Sequence, residues 1–94
     1  MQQYKGMFII VPTLAEEGFK AVIADIAKLF ADNGSRILEV NEWGMKDLAY
    51  EIEDFKKGYY VVFVAEATAT AVSEYDRICN NREDIIRHIL VRED

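Results

Sequence analysis

Apolar residues recur along this chain in blocks whose period switches between two and roughly three and a half, the alternation of strands with helices. Tyr4 to Val11 is rich in aromatic and β-branched residues and predicts a strand, closed by Pro12, the only proline. Thr13-Leu14-Ala15-Glu16 has the form of a capping box, with Glu17 also well placed at a helix amino end. Phe19, Val22, Ile23, Ile26, Leu29 and Phe30 then repeat at helical spacing, and Asn33-Gly34 supplies a left-handed stop. Arg36 to Val40 is strand-like, and extended character resumes through Leu48-Ala49-Tyr50-Glu51-Ile52. Gly44 between them predicts a bulge or bend. Asp54 to Gly58 reads as a polar turn, with Gly58 leading into the clearest strand, Tyr59 to Ala67. Thr70 is placed to cap a short helix with Val72, Tyr75, Ile78 and Cys79 on one side, ended by Asn80-Asn81. Ile85 to Arg92 is the last strand.

The order is β-α-β-β-α-β, an α+β ferredoxin-like domain spanning residues 1–94. Right-handed crossovers place both helices on one face of a four-stranded antiparallel sheet and leave the other face open. Side chains on strands alternate between faces. In the first, third and last strands both alternating sets are substantially apolar, whereas a sheet with one solvated face should pair an apolar set with a polar one. A contiguous apolar patch on the open face is therefore expected, and such patches mark protein interfaces. Met7, Ile9, Val62, Val64, Ile89 and Val91 are its predicted members.

RNA-recognition domains share this topology and stack bases on sheet aromatics. Lys57-Gly58-Tyr59 begins like their consensus, but Tyr60 stands where Gly or Ala is expected, and Val61 and Val64 where aromatics should be. That mode of stacking is disfavoured.

A content of 51% hydrophobic and 30% charged residues excludes a disordered chain and agrees with one small folded domain. The longest apolar runs, Met7 to Val11 and Val61 to Ala65, are too short to cross a bilayer, so no membrane association is expected. The first residues lack the pattern of a signal peptide. A single Cys79 allows no internal disulfide, and a cytoplasmic location is expected. Asn33-Gly34-Ser35 matches a glycosylation sequon but reads as a turn in that setting. Seventeen acidic against eleven basic residues give a net charge of −6, which argues against strong autonomous binding to nucleic acid. A weaker contact made beside a basic partner remains compatible with it.

Groups for catalysis are sparse. His88 is the only histidine and has no partner at a metal-ligand or dyad spacing. Cys79 sits on an apolar helical stripe, where it reads as a small core residue. Ser35 and Ser73 lack a nucleophile-elbow context, and the five glycines are scattered rather than gathered into a phosphate loop. Glu39, Glu42, Glu51, Glu53 and Asp54 read as an acidic, solvated edge that discourages unwanted strand pairing. No catalytic residue, metal or cofactor is expected. Lys46, Lys56 and Lys57 around the long hairpin, and Arg82, Arg87 and Arg92 near the last strand, are the basic groups able to reach phosphates.

Glu42-Trp43-Gly44, Lys46, Leu48-Ala49-Tyr50 and Ile52, followed by Gly58-Tyr59-Tyr60, form the most distinctive block of the chain. With Tyr4 and Pro12, Gly34 with Arg36-Ile37, and Arg82 with Ile85-Ile86-Arg87-His88, this block makes the chain resemble the bacterial small-subunit ribosomal protein six family over essentially its whole length. It departs from the family pattern at Met45, where a basic residue is common, and at Glu51, where proline is common. The resemblance implies a non-catalytic protein that binds the central domain of 16S ribosomal RNA as a heterodimer with the small, basic ribosomal protein eighteen. The isolated chain would be a monomer, and its place the ribosome. Lys46, Arg82, Arg87 and Arg92 become the expected phosphate contacts, and the apolar open face the expected partner interface. Two rival readings share the topology: an enzyme of the dimeric α+β barrel type, with His88 as its only obvious pocket group, and a regulatory domain that binds a small molecule.

Overall fold

A computed structural model of the chain describes residues 1–93, so Asp94 of the expected 1–94 domain lies outside the described residues. Six elements follow in the expected order: β1 (Gln2–Ile10), α1 (Glu16–Asp32), β2 (Arg36–Ile52), β3 (Phe55–Ala67), α2 (Ala69–Asn81) and β4 (Ile85–Arg92). The strands form one antiparallel sheet in the order β2-β3-β1-β4. The ferredoxin-like arrangement is as expected.

The helix-bearing side of the sheet holds the core. Phe8, Ile10, Val61, Phe63 and Ala65 alternate onto that side and are buried against Phe19, Val22, Ile26 and Phe30 of α1 and Ala71, Tyr75 and Cys79 of α2. Four rings meet at its centre, with Phe63 edge-on to Phe30 and Tyr75 at centroid distances of 5.6 Å each, and tilted against Phe8 at 5.9 Å. Edge-to-face packing of this kind adds specificity to the burial that drives folding. The Tyr75 hydroxyl crosses to the sheet and reaches the carbonyls of Met7 and Ile89 at 3.2 and 3.3 Å, so the phenol is buried with its polar atom satisfied.

Local details depart from the sequence reading in four places. The residue preceding α1 is Ala15, which has no side-chain cap, so Thr13 closes no capping box. Glu16 and Glu17 in the first turn offset the helix dipole instead. The cap of α2 is Thr68, not Thr70: its Oγ1 accepts from the Ala71 N–H at 3.1 Å and donates to the Asn33 carbonyl at 3.0 Å. The turn between β2 and β3 is only Glu53-Asp54, with φ of 50° and 69°, the left-handed pair of a two-residue hairpin turn. Phe55 to Gly58 therefore belong to β3. Gly58 is not a turn residue but a buried one, where a Cβ would overlap the Ile9 side chain.

β2 is continuous from Arg36 to Ile52, with its register shifting at Ile37/Glu39, Glu42/Gly44 and Asp47/Ile52. Gly44 has φ of +86°, so the bulge expected there is present. The shifts bend the long β2–β3 hairpin, and that bend shapes the open face.

Candidate functional site

The pairing register arranges the open face in three rows across β3, β1 and β4. Val64, Lys5 and Val91 form one row, Val62, Met7 and Ile89 the next, and Tyr60, Ile9 and Arg87 the third. All six residues expected at a partner interface therefore share one face. They are not equally available. Ile9 and Val62 are 2% and 7% exposed, so these two members of the expected contiguous patch are buried rather than open. Leu48, Tyr50 and Ile52 lean in from the bent hairpin, and with Met7, Ile9, Tyr60, Arg87 and Ile89 they line a hollow of about 270 Å3. Val91, at 55%, and Ile89, at 42%, remain exposed towards β4.

Trp43 stands at the other margin. The Gly44 bulge carries it onto the open side, where its ring runs parallel to that of Tyr60, the planes 10° apart and the centroids 6.5 Å apart. The ring is the wall of a second hollow of about 210 Å3, whose lining includes Lys5, Met7, Val62, Ile89 and Val91. The Lys46 ammonium lies 6.0 Å from the centre of the Trp43 ring, within the reach of a cation–π contact.

Glu42, one residue before Trp43, is tied to the helix side. Its Oε1 accepts from the Tyr59 hydroxyl at 2.7 Å and its Oε2 from the Lys20 ammonium of α1 at 2.6 Å. The bonds from Lys20 and Tyr59 hold its carboxyl below the usual glutamate range. The same bond, with partial burial, pushes the Tyr59 phenol up to about 12. Tyr59 is in turn stacked on Phe19 at a centroid distance of 4.0 Å. Spacing along the sequence gives no sign of this clasp, because its three members lie on three elements.

The four expected phosphate contacts are not brought together. Lys46 and Arg87 share the open face, and Arg87 donates to the Tyr50 hydroxyl at 3.2 Å. Arg82 lies elsewhere, forked onto Asp84 at 2.8 Å and reaching Asp25 of α1 at 3.0 Å. Those carboxylates, Asp84 first, hold its guanidinium firmly charged, and the geometry reads as a brace beside β4. Arg92 pairs in register with Tyr4, one residue past the open-face row of Val91. Lys5 was missed by the sequence reading. Its signal was its position in the same alternating set as Met7 and Ile9.

Of the groups weighed for catalysis, His88 and Ser73 line one hollow between α2 and β4, together with Asp76 and Tyr75. The His88 ring lies 2.9 Å from Asp76 and edge-on to Tyr75, on the helix side of β4. Cys79 is buried. Among the described residues no cluster of three or more His, Cys, Asp or Glu could hold a metal, and no helix is long and apolar enough to cross a membrane.

A family model described as Ribosomal protein S6 matches residues 3–92. The chain belongs to the ribosomal protein S6 family. Its backbone is also similar to the crystal structure of the 30S ribosomal protein S6 from Thermotoga maritima, with a TM-score of 0.92 and 28% identity. That match covers 98% of this chain and 87% of the other. The family resemblance carried by the Trp43-Gly44 to Tyr60 block, and the fold it implied, therefore both stand. In this S6-family chain the block has a structural meaning too, since it builds the bent hairpin that shades part of the open face.

Proposed function

We propose that this S6-family chain is a structural, non-catalytic constituent of the small ribosomal subunit. In this reading it binds the central domain of 16S ribosomal RNA as a heterodimer with ribosomal protein eighteen, on cytoplasmic ribosomes. The observation that supports it most is the composition of the open face. Apolar rows that include Met7, Val62, Ile89 and Val91 are flanked there by Lys5, Lys46 and Arg87, in a chain whose net charge is −6.

The apolar rows are the partner interface, with Ile89 and Val91 as its exposed centre and Ile9 and Val62 as its floor. A basic partner complements the acidic remainder of the molecule and supplies most of the phosphate contacts, each of which is electrostatic and blind to sequence. Lys46 and Arg87 add to them from the open face. Arg82 acts through its brace, and Arg92 from the end of β4.

The test is binding to a central-domain 16S fragment, with and without protein eighteen, across a salt series. The mixture should bind more tightly than protein eighteen alone, and this chain alone should bind weakly with a shallow salt slope. A mixture no tighter than protein eighteen alone overturns the reading. Sedimentation of the purified chain should give a monomer, whereas a stable homodimer joined through its sheets would favour the barrel-enzyme alternative.

A further inference from the structure

We infer that Trp43 is a stacking platform for an unpaired nucleobase, with Lys46 and Lys5 on the adjoining phosphates. The inference rests on the RNA-binding reading above and names the moiety that this margin of the face receives.

Three observations converge on it. Trp43 is 55% exposed, although it is the largest apolar side chain of the hairpin. Its ring is nonetheless held in place: Tyr60 runs parallel to it, the Gly44 bulge sets its direction, and Glu42 beside it is anchored to Lys20 and Tyr59. A ring fixed before binding loses little freedom when a flat ligand stacks on it.

The charges around it supply the second half of a nucleotide site. Lys46 lies 6.0 Å from the ring centre, and Lys5 lines the same hollow. Neither lysine has a carboxylate at ion-pair distance among the described residues, whereas Lys20, Lys28 and Lys57 each do. Two uncompensated ammonium groups beside an exposed indole suit a ligand that is flat, aromatic and anionic. A protein partner seated on Met7, Val62, Ile89 and Val91 answers the apolar floor of the hollow but neither ammonium, which leaves the exposed side of the indole and both charges for the nucleotide. Base stacking on an aromatic side chain tolerates any base, because every base has a π-face, so no base-edge readout is required. This differs from the disfavoured consensus mode, which needs aromatics on the central strands; here the aromatic comes from a bulge in the edge strand.

Trp43 is the only tryptophan, so its fluorescence reports on the site directly. The experiment titrates the purified full chain at low salt with short single-stranded oligoadenylate and, separately, oligouridylate. Saturable quenching is expected for both, stronger for the purine because its stacking surface is larger. Lys46→Gln and Lys5→Gln should each weaken the affinity several-fold and lower the salt slope by about one. Both lysines are on the surface, so these variants keep the fold. Absence of quenching up to millimolar oligonucleotide overturns the inference, and so does quenching unchanged in the double lysine variant. Adding protein eighteen in place of oligonucleotide gives the remaining arm. A blue shift of Trp43 with that protein and no response to either oligonucleotide would make the residue a protein anchor and overturn the inference. Oligonucleotide quenching together with a failed heterodimer assay would instead overturn the heterodimer reading and leave the stacking site standing.

Discussion

The Tyr59 hydroxyl donates to Glu42 Oε1 at 2.7 Å, joining β3 to the residue of β2 at the Glu42/Gly44 register shift. Lys20 of α1 holds the other oxygen, so one carboxylate ties a helix and two strands to the bulge that carries Trp43. The open face is thus positioned partly from the opposite side of the sheet. Glu42→Gln should keep the fold and loosen this tie, lowering stability by no more than about 1 kcal/mol, as for a solvent-screened pair. Its pH dependence is the sharper readout. The folded-state pKa of Glu42 is depressed, so its contribution is complete above the ordinary value of 4.5 and fades as pH falls below it. Thermal melts of the wild type and the variant should differ at neutral pH and converge in acid. A constant difference down to the most acid melts would place the effect elsewhere.

Gly58 and Gly44 should both resist substitution, for different reasons. At Gly58 a Cβ would drive into the Ile9 side chain beneath the hairpin, an overpacking that costs about 1–3 kcal/mol. At Gly44 nothing lies within 4 Å, but φ is +86°, so alanine costs about 1–2 kcal/mol in backbone strain alone. Urea denaturation of the two alanine variants separates the mechanisms in a double-mutant cycle with Ile9→Ala, which removes the Cγ2 methyl that a Cβ at position 58 would meet. The smaller side chain should relieve Gly58→Ala and leave Gly44→Ala unchanged.

Thr68→Ala and Thr70→Ala discriminate the observed cap from the one that the sequence pattern favours. Thr68 accepts from the Ala71 N–H, and its own N–H donates to Ser35 Oγ at 3.0 Å, so the residue fastens α2 to the end of α1. Removing its hydroxyl should cost about 1 kcal/mol. Thr70 is exposed, and its alanine variant should stay within about 0.5 kcal/mol of wild type. Equal losses in chemical denaturation would contradict the assignment.

Cys79 should be unreactive in the folded state. Burial pushes its thiol up to about 12, leaving almost no thiolate at neutral pH, and the residue is 2% exposed. Labelling with a chromogenic disulfide reagent should be slow in native buffer and rise with denaturant along the unfolding curve. Fast labelling without denaturant would show that α2 opens locally.

The fold was legible because its signals are local and agree with one another. The stripe from Phe19 to Phe30 has one period, and the run from Tyr59 to Ala67 has another. Pro12 and Asn33-Gly34 punctuate them. Cap positions were less legible, since Thr68 and Thr70 offer the same chemistry two residues apart. Thr68 prevails because Asn33 and Ser35, more than thirty residues earlier, supply its other partners.

By itself the sequence determined the order of the elements, the two faces of each strand and the Trp43-Gly44 to Tyr60 block that carries the family resemblance, because periodicity and turn chemistry are written along the chain. Only the tertiary structure decided which apolar positions stay exposed. Ile9 and Ile89 look alike in sequence, but register shifts in β2 bend the hairpin over the first and leave the second open. It likewise decided that Arg82 spends its charge on Asp84 and Asp25, while Lys5 and Lys46 keep theirs beside Trp43. Exposure and pairing depend on residues distant in the chain, and no local pattern encodes them.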